Sequence, residues 1–394
     1  MKTKLSSRER LLAAISHAEV DHVPLYLKWW SRPYLSDRND GWTNQFERVR
    51  KTARLGLDDT VGFEPPKTVS SDVKITQRKE VVPGEEHPIL YKEYHTPKGA
   101  LRQIVRQTRD WPHGDDIPMF TDYVVPRSRS KKYLIETMDD VEALSCLYSD
   151  LPSRELKAFA EQTDQVRRFA RENDLLIECG TMDDAMLFFM GDALAWLCGI
   201  ENAVTLSYRQ PDLVHRLLDI ILEWDVRYLE QVSAVGGCDV VVHRGWYECY
   251  WSPKLYETFL APRIRREIEL VHRLGANFCY IMTANIMPYL RILKELGIDI
   301  LYGVDPVQGG ADLKQVKQDI GGRVCIWGGV NSAVTLGRET KVNVEKAVDQ
   351  ALRILAPGGG FILSAIDQLF ADTRWENFET MIETWRKLLP DSRC

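Results

Sequence analysis

Short apolar runs that alternate with longer amphipathic segments constrain the fold of this 394-residue chain more than any other feature. These runs lie at 23–30, 58–63, 175–180, 239–245, 277–285, 299–305, 323–331 and 360–367. From residue 174 onward, the segments between them carry apolar residues at i, i+3, i+4 and i+7, which is typical of helices. Apolar strands separated by helices predict a parallel sheet covered on both faces, and eight such units predict a (β/α)8 TIM barrel. A doubly wound open sheet is the alternative, which the absence of a GxGxxG or GxxxxGK(S/T) motif after the early runs disfavours.

Residues 64–135 interrupt this pattern, because apolar and polar residues alternate here as they do in strands with one exposed face. A turn sequence, Thr-Pro-Lys-Gly at 96–99, separates two of the alternating stretches. The segment therefore predicts a β-hairpin insertion after the second strand, within a single domain that spans residues 1–394. Two interpretations stay open: the hairpin caps the mouth of the barrel, or it lies on the surface away from any site.

Composition and charge exclude several classes of partner. The net charge is −6, and lysine and arginine are scattered, so neither nucleic acid nor a membrane surface is an expected partner. No stretch reaches the roughly 18 apolar residues of a membrane span, and the N-terminus lacks an apolar signal-peptide core, so a cytoplasmic location is expected. Ser6 with Glu9 predicts the capped start of a helix. The eight cysteines are widely spaced and are expected to be free thiols.

Polar and aromatic residues concentrate where the predicted strands end. The clearest case is DVVVHRGWYE at 239–248, where three valines run directly into a histidine and an arginine. The C-terminal strand ends of a parallel barrel carry its chemistry, so we expect a small-molecule pocket there, with aromatic walls and a few polar groups. The predicted catalytic residues are His243, Tyr247, Glu248, Asp305 and Asp367. The predicted substrate-binding residues are Trp29, Trp30, Met182, Arg244, Trp246, Tyr302, Gln308, Trp327 and Asn331.

Several of these residues also have a structural interpretation. Arg244 and Glu248 are equally compatible with structural ion pairs, formed with each other or with aspartates. We expect His243 to face the barrel interior, whereas the opposite orientation would make it a structural histidine. Asp305 fits a turn residue before a proline, and Asp367 fits the cap of a following segment.

The sequence contains no familiar nucleophile or metal motif. Neither GxSxG nor HExxH occurs, and no cysteine and histidine have a diagnostic spacing. Whether a metal binds is therefore open. If one does, we expect His243 among its ligands, completed by carboxylates such as Glu248, Asp305 and Asp367.

Four sequence blocks, in this order, resemble the uroporphyrinogen decarboxylase superfamily, and resemble its cobalamin-dependent methyltransferase branch more than the true decarboxylases. The blocks are SSRERLLAAISHAEVDHVPL, YWSPKLYETFLAPRIRREIELVH, LKELGIDILYGVDPVQGGADLKQVKQDIGGRVCIWGGVN and APGGGFILSAIDQLFADTRWENFETMIETWRK. The match spans nearly the whole chain and is specific for the superfamily, but it does not select one reaction. Members of the superfamily often form dimers, so the resemblance implies a homodimer.

Departures from the superfamily patterns bear on the reaction. Thiol-activating methyltransferases of this type bind zinc through His-x-Cys after the fifth strand and a further Cys after the eighth. The matching positions here hold Ile281 and Thr283, with Asp367 after the eighth strand, so the resemblance implies that the usual thiolate zinc site is absent. The decarboxylases place Arg after strand 1, Asp after strand 2 and His after strand 8. This chain has Lys28 or Arg32, Glu64 and Asp367 there, so porphyrinogen decarboxylation is not expected.

The first function that the resemblance implies is a corrinoid-linked methyltransferase, which demethylates a small methylated or methoxylated compound. The corrinoid would be held by a partner protein, because this chain has no DxHxxG motif. Cleavage of an ether needs an acid for the leaving oxygen, and Glu248, His243 and Asp367 are the candidates.

The alternative is a metal-independent decarboxylase, or another lyase, for a small carboxylate. Arg244 and Lys28 would hold the carboxylate, and Asp305 or Glu248 would protonate the carbon. A binding protein without catalysis is a third interpretation. The number of acids at the strand ends disfavours it, because unpaired carboxylates in a cavity destabilise a fold.

Overall fold

Seven of the eight predicted apolar runs form the strands of one parallel sheet. The computed structural model describes residues 4–28, 42–180, 188–370 and 373–389. Its strands are β1 (Thr60–Phe63), β2 (Lys74–Glu80), β3 (Ile89–Thr96), β4 (Gly99–Arg106), β5 (Ser130–Lys132), β6 (Leu176–Cys179), β7 (Val240–Arg244), β8 (Asn277–Ile281), β9 (Ile300–Val304), β10 (Cys325–Asn331) and β11 (Phe361–Ile366). The parallel sheet has the order β1-β6-β7-β8-β9-β10-β11. The predicted α/β fold is therefore confirmed, and the C-terminal strand ends lie at one edge of the sheet.

The described part of the first predicted run joins the two edges of this sheet through isolated bridges. Tyr26 N donates to Leu363 O of β11 at 3.1 Å, and Asp58 N, just before β1, donates to Leu25 O at 3.0 Å. Both bridges are parallel. Residues 24–28 thus lie between β11 and the start of β1.

Helices lie between the strands of the parallel sheet. They are α1 (Ser7–Ile15), α2 (Gln45–Arg54), α3 (Met138–Leu144), α4 (Ser153–Asn173), α5 (Met190–Cys198), α6 (Ile200–Arg209), α7 (Pro211–Ala234), α8 (Ala261–Arg273), α9 (Leu290–Leu296), α10 (Leu313–Asp319), α11 (Lys341–Leu355) and α12 (Trp375–Leu388). The predicted cap of α1 is confirmed, because Ser6 Oγ accepts from Glu9 N and Glu9 Oε2 accepts from Ser6 N. Among the described residues, no helix combines the length and apolarity that crossing a membrane requires. The cysteines of the described ranges are free thiols, as predicted, and Cys394 lies outside those ranges.

The side chains of the parallel sheet divide into two buried clusters, because successive residues of a strand point to opposite faces. The inner cluster joins Val240 and Val242 of β7 to residues of other strands and to Leu11 of α1. The outer cluster joins Val241 and Phe278 to the surrounding helices. The side of the sheet that a residue occupies can therefore be read from the cluster to which it belongs.

The insertion at 64–135 forms an antiparallel sheet, as predicted, and this sheet is larger than a hairpin. Its strands have the order β2-β3-β4-β5. β3 ends at Thr96 and β4 begins at Gly99, so the predicted turn lies between them. Leu101 and Val105 of β4 belong to the outer cluster. The loop that follows β4, residues 107–129, reaches the C-terminal end of β7.

Arg10 of α1 provides a test of how this helix is held. Its guanidinium lies 2.6 Å from Asp58 Oδ1 and 2.7 Å from Asp21 Oδ1, and Asp58 is buried. Burial raises the pKa of Asp58 to about 6, although Arg10 opposes the shift. We predict that Arg10→Met lowers the free energy of unfolding by about 3–5 kcal/mol, because it leaves a buried carboxyl group without its partner.

Denaturant titration measures the effect, and Arg8→Met is the matched control on the same helix. Arg8 pairs with Asp239, but its side chain is 41% exposed, so its loss should cost about 1 kcal/mol or less. Equal losses in the two variants would contradict the importance of the buried pair.

Candidate functional site

His243 faces the outer helices, so the predicted inward orientation is wrong. Its neighbour Val242 belongs to the inner cluster, and the alternation of the strand sends His243 to the opposite side. The ring stacks on Tyr280 at 5.2 Å between centroids, and Nδ1 lies 2.7 Å from Glu267 Oε2 on α8. The residue is fully buried, as a structural histidine would be.

Glu248 shares the surroundings of His243. Its Oε1 accepts a hydrogen bond from Gly191 N at 2.7 Å and lies 3.3 Å from His243 Nε2. The hydroxyl of Tyr280 donates to its other oxygen. Glu248 has no solvent-exposed surface, so neither of these two predicted catalytic residues reaches the solvent.

The ionisable groups behind β7 form what we call the buried acid cluster: Asp225 of α7, His243, Glu248 and Glu267. Burial alone would lower the pKa of His243, but Glu267 and Glu248 outweigh it and raise that pKa well above its usual value. Burial and the neighbouring Glu267 raise the pKa of Asp225 well above its usual value. The cluster therefore favours the protonated forms of His243 and Asp225, away from water.

Arg244 lies on the other side of β7, at the strand end. Its guanidinium carbon is 3.8 Å from the ring centroid of Trp246 and 4.7 Å from that of Trp196. Nε lies 3.1 Å from Asp192 Oδ2, and Nη2 donates to Asp122 at 3.1 and 3.2 Å. Arg244 thus forms the ion pairs with aspartates that its structural interpretation allowed, with Asp192 of α5 and Asp122 of the insertion, and it does not pair with Glu248.

Asp192 connects α5 to the residues that follow β7. Its carboxylate accepts from Tyr247 N at 2.6 Å and from Trp246 N at 3.2 Å, in addition to its contact with Arg244. Burial raises the pKa of Asp192 to about 7, although Arg244 opposes this and Glu248 adds to it. The group thus titrates near neutral pH while it holds the loop after β7.

Three predicted residues meet at the ends of β9 and β10. Asn331 Nδ2 donates to Asp305 Oδ2 at 2.7 Å and to Gln308 Oε1 at 3.0 Å. Asp305 Oδ1 accepts from Val307 N at 2.8 Å, which is the turn contact that its alternative interpretation describes. Both carboxylate oxygens of Asp305 are therefore used within the protein.

The inner side of the strand ends is aromatic. Tyr302 and Trp327 are buried with 6.0 Å between ring centroids, and the Tyr302 hydroxyl donates to the backbone oxygen of Asp367 at 2.6 Å. Lys28 Nζ lies 5.2 Å from the ring centroid of Trp246 and 5.9 Å from that of Tyr302. The arrangement brings predicted residues of five separate chain segments together.

Some predicted residues cannot be compared, and some neighbours of the site were missed. Trp29, Trp30 and Met182 lie outside the described residues. Sequence reasoning missed Asp122, Asp192, Trp196, Asp225 and Glu267, which supply the partners of the residues at the end of β7. A single aspartate in the otherwise apolar helix α5, MGDALAWLC, is the one signal that could have identified any of them.

The residues at the superfamily's thiolate position do not fit zinc. Ile281 is apolar and belongs to the inner cluster, and Thr283 follows β8, so neither offers a thiolate or an imidazole. Within the described ranges, no three His, Cys, Asp or Glu side chains are arranged to hold a metal ion.

Comparisons with known proteins agree on a family. A family model described as uroporphyrinogen decarboxylase (URO-D) matches residues 129–388. A uroporphyrinogen decarboxylase from Parasynechococcus marenigrum is 27% identical over 174 residues, which is 44% of this chain and 47% of that protein. One from Xylella fastidiosa is 27% identical over 158 residues, 39% of this chain and 43% of that protein. The chain thus spans less than half the length of these relatives.

A solved structure resembles the whole chain in fold. The methyltransferase from Methanosarcina mazei aligns over 98% of this chain and 99% of that chain, with a TM-score of 0.58 and 18% sequence identity. At this identity the likeness is one of fold.

We predict that Glu248→Gln lowers the free energy of unfolding by about 1–3 kcal/mol, because the neutral amide leaves the His243 imidazolium with one anion fewer in a sealed site. Calorimetry measures the loss. Glu257→Gln is the matched control, since Glu257 pairs with Arg291 on the surface, and it should change stability by less than about 0.5 kcal/mol. Wild-type stability in the Glu248 variant would contradict this stabilising role of Glu248.

The raised pKa of Asp192 predicts how the free energy of unfolding depends on pH. Its folded pKa of about 7 exceeds the unfolded value of about 3.9, so between these values the folded chain binds more protons than the unfolded chain. This contribution to stability is fully present below about pH 4 and is lost as the pH rises through 7. The free energy of unfolding, measured at steps of pH, should therefore decline more steeply in the wild type than in Asp192→Asn. Parallel curves would rule out this titration.

Proposed function

The chain belongs to the uroporphyrinogen decarboxylase family, and from this premise we propose that it is a methyltransferase that demethylates a small methylated or methoxylated compound. The observation that carries the proposal is the likeness of fold to the M. mazei methyltransferase over nearly the full length of both chains. The decarboxylases from P. marenigrum and X. fastidiosa, in contrast, match over less than half of their length. Glu64 and Asp367 also stand where the decarboxylases have Asp and His, which supports a reaction other than porphyrinogen decarboxylation.

We place the substrate at the C-terminal strand ends, on the inner side of the sheet. In this interpretation residues 24–28 act as an eighth strand that closes a (β/α)8 barrel, which their bridges to β11 and Asp58 support. Three buried polar atoms in the described part of the chain support a ligand there, because they have no hydrogen-bond partner: Nε1 of Trp246, Nε1 of Trp327 and Oδ1 of Asp367. Buried polar groups are nearly always satisfied, so a bound molecule with polar atoms would complete them.

Asp367 is the residue that we assign to proton transfer. An ether oxygen that leaves its methyl group needs an acid, and a positioned carboxyl group supplies one. Among the three acids predicted from the sequence, His243 and Glu248 are sealed behind the sheet. Asp367 is half-buried at the end of β11, beside the aromatic wall that Tyr302 and Trp327 form.

The methyl acceptor that we propose is a corrinoid on a partner protein that docks over the strand ends. When bound, the corrinoid would supply the nucleophile for the methyl group. This chain's own part is to enclose the methyl donor between Trp246 and Tyr302 and to hold a proton at Asp367.

Decarboxylation of a small carboxylate is the second candidate function. Two cations, Lys28 and Arg244, lie against the ring of Trp246 near the strand ends, which favours an anionic substrate. Asp305 is less available to the substrate than the sequence suggests, because both of its oxygens accept hydrogen bonds from the chain itself.

One experiment separates the two reactions. The purified chain is incubated with cob(I)alamin and a panel of methoxylated and methylated compounds, including carboxylates, and both methylcobalamin absorbance and carbon dioxide release are followed. Formation of methylcobalamin supports the methyltransferase. Release of carbon dioxide without methyl transfer would replace it with the lyase.

We predict that Asp367→Asn lowers the rate of methyl transfer about 10²–10⁴-fold, because the amide cannot donate the proton. Substrate affinity and melting temperature should stay close to wild type. Asp349→Asn is the control, since Asp349 pairs with Arg353 on the surface of α11. An unchanged rate in the Asp367 variant would remove this residue from the mechanism.

A further inference from the structure

At the end of β7, the carboxylate of Asp122 lies in a binding site formed by the chain itself, which we call the receptor. Both oxygens of Asp122 accept from Arg244 Nη2, at 3.1 and 3.2 Å. The indole Nε1 of Trp196 donates to Asp122 Oδ1 at 2.9 Å, and the side chain of Tyr247 forms a hydrogen bond with the same carboxylate. Three donors from α5, β7 and the following loop thus converge on one anion.

The receptor is held in place independently of Asp122. The Arg244 guanidinium lies against the rings of Trp196 and Trp246, and its Nε is paired with the fully buried Asp192. Cation–π contacts and a buried ion pair fix the plane of a guanidinium, so its outer nitrogen points in a set direction. The side chain of Arg244 is only 5% exposed.

Asp122 differs from the rest of the receptor in its exposure and in its place in the chain. Its side chain is 48% exposed, so solvent reaches the outer side of the carboxylate. It begins a short helical turn, Asp122–Val124, in the loop 107–129 of the insertion. Asp122 is thus the exposed carboxylate partner of Arg244, whereas its other partner, Asp192, is fully buried.

We propose that the substrate is a small carboxylate, and that its carboxylate group replaces Asp122 on Arg244, Trp196 and Tyr247. The inference rests on the proposed function insofar as that function puts the substrate at the strand ends. The receptor borders the aromatic wall there, because Trp246 contacts both Arg244 and Lys28. Asp122 acts as an internal competitor, which keeps a buried arginine paired when no substrate is bound.

The decisive variant is Asp122→Asn, which keeps the shape of the side chain and removes its charge. Calorimetric titration measures its affinity for four carboxylates (acetate, methoxyacetate, benzoate and 2-methoxybenzoate) and for their neutral amides. Removal of the competitor should tighten carboxylate binding by about fivefold, the equivalent of one exposed ion pair, and leave amide binding unchanged. Asp110→Asn is the matched control, since Asp110 lies on the same loop, is similarly exposed and pairs with Arg129 instead.

Two further variants remove the receptor. Arg244→Met should abolish the preference for carboxylates over amides in both the wild-type and the Asp122→Asn background. Trp196→Phe keeps an aromatic ring but loses the indole donor, so it should weaken carboxylate binding alone. These preferences are ratios within one variant, so a loss of stability that affects both ligand classes does not imitate them.

Several outcomes would overturn the proposal. They are unchanged or weaker carboxylate binding in Asp122→Asn, carboxylate binding that survives Arg244→Met, and no carboxylate binding to any variant. The first outcome would mean that the ion pair of Asp122 with Arg244 only holds the insertion against β7. Because binding is measured without turnover, a chain that binds carboxylates through Arg244 but transfers no methyl group would refute the proposed function and leave this inference standing.

Discussion

The two-residue alternation of β7 decides what the candidate site contains. Val242 packs inward, so His243 points to the helices and Arg244 points back to the inner side of the strand end. The pairing of β7 with β8, in which His243 lies beside Tyr280, fixes this register. A shift by one residue would bury the guanidinium among aromatic rings of the outer cluster and bring the imidazole to the strand ends.

The buried acid cluster supports the site although it does not belong to it. Its members would each be costly to bury alone. His243 lies within ion-pair distance of both Glu248 and Glu267, and the Tyr280 hydroxyl donates to Glu248. Glu248 also accepts a hydrogen bond from the backbone N–H of Gly191 at the start of α5. The next residue, Asp192, holds Arg244, so the cluster is connected to the receptor through two adjacent residues of one helix.

Local sequence patterns predicted the parts of this structure that depend on neighbours in the chain. The strand positions, the cap at Ser6 and the turn at 96–99 follow from periodicity and from residue types whose contacts are a few residues away. The same reasoning identified the end of β7 as polar but assigned His243 to the wrong side of the sheet. Which residues of β7 point inward depends on whether Val241 or Val242 packs in the inner cluster, and local sequence does not decide this. Asp122 had no local signal, since 122 positions separate it from Arg244.

The fit of Glu248 over Gly191 also sets the order in which this part of the sequence can change. A Cβ atom at 191 would lie 2.5 Å from Cγ of Glu248, much closer than carbon atoms can approach without displacement. Position 191 therefore accepts a larger residue only after 248 has become smaller. A smaller residue at 248, in contrast, is accommodated beside glycine and leaves a cavity. During divergence, the substitution at 248 must therefore precede the one at 191. A relative with alanine at 191 should already have lost the glutamate at 248.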